Sequence, residues 1–530
     1  MTRGLRRTRE SECLVSMVPK TPRELSIRRM PSVVSNRNGR APSKGRRLNA
    51  TIPRMRISVL PVALAGLLLS AGACSDEAVK DPPSILLVVI DTLRADAVSA
   101  YGITEGTTPA FDALAATGQL YTRAYAPSPW TLPSHASLFT GSPIDDHGVG
   151  LHGQVVLPED VTTLAERLRA AGYQTAAFSE NALISRVFGF EQGFEHFSVR
   201  TAEEQMAAKQ KLVIDVADEL ARWLEARDPE RPFFVFINLY DPHEPYVVRA
   251  ENPFLPASAT TADVHQLKAG LRTSHFICER IPPARQLEIL HGLYLGEAAS
   301  ADRKLKAILT LLGDQSASGL VTVVTSDHGE HFGEHGLLDH EFSVRDTVLR
   351  IPLVVHGPAL GPAIIERPVE LRDVTRSLLT WAGADASGIA AAGLAGNQGA
   401  APDAPASLFA LYSDTRMRLP PTFDAASAQQ VRDFKRQGCS ATDRVFGDMV
   451  AVTRYPFKLN WYERYPSELF DLSRDPGEQA PQQARHSEVF SILEQQAREF
   501  AARTGLAGGK AQQRLSPETE EALRALGYID

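Results

Sequence analysis

Several short apolar runs in this sequence stop on residues that bind metals or move protons. Ser84–Ile90 is β-branched and apolar and ends on Asp91, and Leu320–Thr325 is a second such run followed by Ser326, Asp327 and His328. Carboxylate and imidazole groups delivered just past the ends of separate strands mark a candidate site. Between them lies the segment Thr131 to Gly141, whose Pro133 suits the first turn of a helix and so puts Thr131 near a helix N-terminus. There the Thr131 hydroxyl either caps the helix or faces an anionic group, such as a phosphate or sulfate, favoured by unpaired amides and the helix dipole. Two further runs end the same way: Phe233–Leu239 leads into Asp241 and His243, and a strand beginning at Thr175 leads to Glu180 and Asn181.

The elements that must carry these residues follow from periodicity. The apolar runs alternate with helical patterns: Thr162–Ala171 places Leu164, Leu168 and Ala171 on one face and stops at Gly172, and a long helical segment covers roughly 203–227. This alternation predicts an α/β fold with a catalytic domain over 84–383. In open α/β sheets ligands bind at the C-terminal strand edge, where all four strands deliver their polar residues. The Ala-, Gly- and Pro-rich stretch 384–406 reads as a linker. A smaller C-terminal subdomain over 407–480 contains strand-like Asp448–Thr453 and Tyr455–Asn460, and the tail 481–530 is helical from Ser487 to Thr504. No internal repeat is visible.

Collinear motifs carry a resemblance. Ile90-Asp-Thr-Leu-Arg94, Tyr101-Gly102, Thr108-Pro109, the Thr131 to Gly141 segment and Gly172-Tyr-Gln-Thr-Ala176 look like the amino-terminal half of the sulfatase family, within the alkaline phosphatase superfamily. The likeness continues through Asp241-Pro-His-Glu-Pro-Tyr246, Thr325-Ser-Asp-His-Gly-Glu330, Gly333-Glu-His-Gly336, Arg350-Ile-Pro-Leu353 and Glu468-Leu-Phe-Asp-Leu472 with Asp475-Pro476. It implies a mixed central sheet flanked by helices, a smaller C-terminal α+β subdomain, and a divalent metal on Asp91, Asp327 and His328. Manganese, zinc or magnesium suits His328 better than calcium.

The departures from the family are specific. Thr131 stands where sulfatases carry the Cys or Ser that becomes formylglycine, His135 replaces an Arg, and Thr92 replaces a second metal-binding Asp. Ser179-Glu-Asn-Ala182 replaces a Gly-Lys-Trp-His segment, and His340 falls at another substrate-binding Lys. A Thr nucleophile beside a metal resembles the nucleotide pyrophosphatase/phosphodiesterases and lipoteichoic acid synthases of the same superfamily. That likeness implies Asn181 as a substrate contact, and His135, at the position of the family's Arg, is expected to be another. His243 and His340 then serve as acid or base, touch substrate, or hold a second metal with Asp241; His335 is read as structural. The expected activity is metal-dependent hydrolysis or transfer of phosphate or sulfate esters through Thr131, with phosphoryl esters favoured. The alternatives are true sulfate-ester hydrolysis and a non-catalytic anion-binding lipoprotein. The expected partner is an anionic ester on a glycan, a lipid head group or a small molecule.

Composition is that of an ordinary globular protein, 43% hydrophobic and 22% charged over 530 residues. Residues 1–56 hold 15 Lys and Arg against 3 Asp and Glu, a net +12, so against the chain's −7 the remainder carries −19. The basic arm 1–54 lacks periodicity and aromatic residues and reads as disordered or untranslated, not as a nucleic-acid binder. Residues 55–74 resemble a lipoprotein signal: a short basic start at Met55-Arg56, an apolar run from Ile57 to Ser70, and small residues before Cys74. The expected place is therefore the bacterial cell envelope, with a lipid anchor in the membrane. Cys278 and Cys439 could pair in an oxidising compartment, but spacing alone decides nothing.

Overall fold

Strand Ser84–Ile90 (β1) lies at the centre of the protein, and its two faces explain its unbroken apolar run. Ile85, Leu87 and Val89 enter one core, while Leu86, Val88 and Ile90 enter the other. A strand buried on both faces has no polar positions to alternate with. Each such side chain contributes roughly 1.5–3 kcal/mol on burial. The computed structural model describes residues 82–102, 106–201, 204, 216–247, 252–260, 262–264, 284–313, 319–340, 342–358, 360–394, 407–413, 447–506 and 515–525. The basic arm, the signal-like segment with Cys74, and Cys278 and Cys439 lie outside them.

β1 pairs in parallel with Phe233–Leu239 (β5) on one side and Leu320–Thr325 (β6) on the other. Gln174–Ser179 (β3) and His196–Val199 (β4) extend the parallel arrangement beyond β5. On the opposite flank Arg350–His356 (β9) runs antiparallel between β6 and Gln119–Tyr125 (β2). Ala363–Ile365 (β10) and Val369–Glu370 (β11) complete a mixed sheet of nine strands among the described residues, and His331–Phe332 (β7) with Leu338–Asp339 (β8) forms a separate antiparallel pair. The runs expected at β1, β5 and β6 form strands with the same bounds, and β3 begins at Gln174, one residue before the expected start at Thr175.

Helices pack on both faces. Pro109–Thr117 (α1) is tied to the long helix Ala284–Leu311 by Asp302, whose two oxygens accept the Ala110 and Phe111 amides at 2.9 Å. The expected helix at 162–171 forms over Leu164–Ala170. Thr163 is its N-cap, in a capping box with Glu166, and Leu164 and Leu168 are buried. Of the helical segment expected over 203–227, Val216–Ala226 is described and helical.

A second, antiparallel sheet runs Leu408–Tyr412 (β12), Met449–Arg454 (β13), Phe457–Tyr462 (β14), Glu468–Asp471 (β15). One face packs on helix Ser487–Arg503 through Val450, Val452, Leu459, Leu493 and Phe500. The other contributes Ala410, Tyr412, Met449 and Ala451 to the core under the large sheet. All described residues belong to one compact unit, Ala78–Asp530.

Candidate active site

Parallel register brings the site together. Val89 of β1 faces Thr325 of β6, so two residues further on Asp91 and Asp327 emerge side by side. Asp91, Asp327 and His328 are fully buried, and one ligand atom from each lies within 4.8 Å of the others. Asp327 Oδ1 accepts the amides of His328 at 3.0 Å and Thr92 at 3.2 Å, while Oδ2 accepts no hydrogen bond and has only the neutral rings of His328 and His135 near it, at 3.5 and 3.6 Å. Burial pushes the Asp327 carboxyl up to about 7, against those two amides. A fully buried carboxylate with an unbonded oxygen is short of positive charge, which a divalent cation supplies.

The imidazole fits the same assignment. His328 Nδ1 lies 3.0 Å from the Gly329 carbonyl, so the hydrogen-bond pattern assigns it the proton and leaves the Nε2 lone pair for a ligand role. Burial, then the neighbouring His340, hold His328 neutral and well below its ordinary value. Asn181 donates from its side-chain nitrogen to Asp91 Oδ2 at 2.6 Å, and its Oδ1 accepts the Leu183 amide at 2.8 Å. It therefore orients a ligand carboxylate, a role beyond the expected substrate contact.

Thr131 opens helix Thr131–Thr140 (α2), fully buried, with Pro133 in the first turn. The capping alternative fails on geometry: the N-cap is Trp130, and no side chain caps. The Thr131 hydroxyl instead lies 3.4 Å from His328 Nε2, at the metal-ligand cluster. His135, one turn on, packs beneath the cluster, its Nδ1 3.6 Å from Asp327 Oδ2. Its Nδ1 is 3.0 Å from the Thr131 carbonyl and its Nε2 3.5 Å from the Asn238 amide, among Phe139, Phe190 and Phe236. Burial pulls His135 down to about 4, so it is a neutral support beneath Thr131 rather than the substrate contact expected of it.

Histidines line the approach. His340 lies tilted at 39° against His328 with centroids 4.4 Å apart, and His243 meets His340 edge-on at 5.5 Å. His340 Nδ1 lies 2.7 Å from the Pro129 carbonyl, tying it to the residues just before α2. His243 Nδ1 is held by the Tyr240 hydroxyl at 2.9 Å and the Glu244 carbonyl at 2.7 Å. Asp241, expected beside His243 as a second-metal ligand, stands outside the cluster and pairs with Lys304 at 2.5 Å. His335 is turned to the Gly477 carbonyl at 3.1 Å, in keeping with a structural reading.

Two features were not anticipated. Thr92 carries a φ of 53°, costly for a β-branched residue, and is held there by its amide bond to Asp327 and by Tyr294 Oη donating to its carbonyl at 2.9 Å. Lys304 and Glu180 form a charge cluster beside the site. The signal for Lys304 was its place three residues after Ala301 and one before Leu305, on the buried face of its helix.

A buried two-carboxylate, one-imidazole cluster at the carboxyl edge of a mixed α/β sheet, with a helix-start hydroxyl beside it, defines a metal-dependent hydrolase of anionic esters. The sulfatase family model matches residues 83–384, and the chain belongs to that family. A delta 4,5-hexuronate-2-O-sulfatase of Bacteroides thetaiotaomicron is 23% identical over 446 residues, 78% of this chain and 86% of the relative. Among solved structures, the phosphonate monoester hydrolase of Silicibacter pomeroyi superposes with a TM-score of 0.59 at 20% identity, covering 80% of this chain and 96% of that one. A structure in complex with its substrate D-glucosamine-2-N,6-O-disulfate superposes with a TM-score of 0.58 at 18% identity, covering 80% and 98%.

Proposed function

We propose that this protein hydrolyses anionic esters with Thr131 as an unmodified nucleophile, and that phosphoryl esters are better substrates than sulfate esters. The observation that carries the reading is the Thr131 hydroxyl, free of any capping duty and 3.4 Å from His328 Nε2 in a fully buried pocket edge. Asp91, Asp327 and His328 would hold a divalent ion, which when bound lowers the pKa of a neighbouring hydroxyl and stabilises charge on the transferring group. With its proton already released to solvent, the Thr131 alkoxide would attack phosphorus, and the ester's leaving oxygen departs, taking a proton from the His243–His340 pair; Thr131 leaves again as the alkoxide in the second step. Water then attacks the phosphoryl-threonine, the same pair accepts its proton, and Thr131 is released with inorganic or monoester phosphate. Asn181, by fixing Asp91, keeps the ligand set in place.

Sulfuryl transfer suits this nucleophile less well. The formylglycine hydrate of the sulfatases this chain resembles expels sulfate by re-forming its aldehyde. Threonine has a single hydroxyl and has no such exit. Sulfate-ester hydrolysis stays as the second reading because relatives in both comparisons act on sulfated sugars by their names. Under either reading the substrate class we propose is an anionic ester on a glycan, lipid head group or small molecule. The decisive experiment presents manganese-, zinc-, magnesium- or calcium-loaded protein with matched aryl sulfate, phosphate diester and phosphonate monoester substrates. A clear preference for sulfate would overturn the phosphoryl reading. The signal-like segment before Cys74 supports placement in the cell envelope as a lipid-anchored protein, away from nucleic acid. Intact-mass and lipid-labelling analysis of protein from its native host tests this, and Cys74 without lipid would refute it.

A further inference from the structure

Lys304 comes from helix Ala284–Leu311, yet its ammonium sits between two carboxylates that flank site residues. Its Nζ lies 2.7 and 2.9 Å from the oxygens of Glu180 and 2.5 Å from Asp241 Oδ2. Glu180 immediately precedes Asn181, the residue that holds Asp91. Asp241 opens the turn that carries His243 two residues later. Strands β3 and β5 are neighbours, with Ser179 facing Asn238, so the two turns emerge side by side. Glu180 Oε2 also accepts the Tyr240 amide at 3.2 Å, and Arg200 approaches Glu180 Oε1 to 3.2 Å. Both carboxylate side chains are only 4–5% exposed.

Two adjacent buried carboxylates repel each other strongly where water screens poorly. A cation between them converts that repulsion into a link between the turns. The helix bearing it is anchored independently, by Asp302 to α1 and by Tyr294, whose hydroxyl accepts the Arg94 amide at 2.8 Å and donates to the Thr92 carbonyl. The ammonium is therefore presented from a fixed base.

We infer that Lys304 is a positioning residue: by clamping the Glu180 and Asp241 turns together it keeps Asn181 against Asp91 and His243 over the site. The inference rests on the metal-ligand assignment above. Its primary readout, the affinity of metal-free protein for Mn²⁺, does not depend on which ester is hydrolysed.

Mn²⁺ titration is compared for wild type, Lys304→Arg, Lys304→Met and the triple variant Lys304→Met, Glu180→Gln, Asp241→Asn. Partners behind a metal ligand typically govern affinity by about 10–100-fold. Lys304→Met should weaken Mn²⁺ binding by that amount and reduce kcat on the best aryl ester with KM moving less than about threefold. Lys304→Arg, which keeps the charge, should recover most of the affinity. Should Lys304→Met fail to fold, the triple variant carries the measurement, because its neutral amides remove the repulsion but do not draw the turns together. It should fold and bind Mn²⁺ more weakly than wild type. Wild-type Mn²⁺ affinity in Lys304→Met or in the triple variant would overturn the inference, as would equal loss in Lys304→Arg and Lys304→Met. Weakened Mn²⁺ binding in a protein that hydrolyses none of the esters would leave the clamp standing and sink the proposed function instead.

Discussion

The hydroxyl of Thr131 and the carboxyl of Asp327 are the two residues on which the chemistry turns. Thr131→Ala removes only a buried hydroxyl and a methyl, so the fold should survive. Activity should fall by roughly a thousandfold or more, the scale of losing a nucleophile that works as one unit with its neighbours. Mass spectrometry of the resting enzyme should find residue 131 unmodified. Asp327 makes a pH prediction. Its folded pKa, about 7, lies above the unfolded value near 4, so the metal-free native state binds the extra proton between these values. The stability it contributes is fully present below about pH 4 and is lost as pH rises through about 7. Thermal unfolding of metal-free protein should show that loss, Asp327→Asn should flatten it, and saturating Mn²⁺ should raise Tm more at pH 8 than at pH 5.

At the scale of elements, the loop after β6 is held flat against residues 347–348, which is why a glycine follows His328. Gly329 donates its amide to the Val348 carbonyl at 2.8 Å, and a Cβ there would strike the Thr347 carbonyl oxygen and press on Arg94 and Val348. Its carbonyl is also the acceptor that sets the His328 tautomer. Gly329→Ala should therefore cost about 1–3 kcal/mol in denaturant unfolding and weaken Mn²⁺ binding as well. This element was half legible beforehand. β1, β5 and β6 announce themselves because burial on both faces demands continuous apolar runs. β2, with Gln119, Thr122 and Arg123 in its seven residues, carries no such signal, and its place beside antiparallel β9 comes from long-range pairing.

Across the whole molecule, the small sheet is locked to the loop carrying His340 by charge buried at their contact. Lys458 of β14, fully buried, lies 2.7 Å from Asp346 and 3.3 Å from Glu478; Arg345 reaches Glu468 at 2.7 Å. Lys458→Met leaves Asp346 without its ion-pair partner and Glu478 with Arg345 alone, 4.0 Å away, and should cost roughly 3–5 kcal/mol, read as a lower unfolding midpoint. Since the metal ligands are on other elements, the Mn²⁺ affinity of the folded fraction should stay at the wild-type level.

Local sequence determined which segments become strands and that Asp91, Asn181, Asp241 and Asp327 each stand just past a strand end, because apolar periodicity and its interruption are read within a few residues. It determined equally that Thr131 begins a helix, since Pro133 permits only the first turn. What each polar residue then does was decided by partners that arrive from elsewhere in the chain. Asp91 and Asp327 share a cluster because β1 and β6 are neighbours in register. Asp241, of the same chemical type and at the same kind of strand end, meets the Lys304 ammonium from a helix more than sixty residues on and is committed to an ion pair. His135, one helical turn from Thr131, is enclosed by three phenylalanines and a backbone carbonyl, with Asp327 Oδ2 3.6 Å from its Nδ1. Charge in a buried site is settled by whichever opposite charge or dipole lies within a few ångströms, and that proximity exists only once the sheet has ordered its strands.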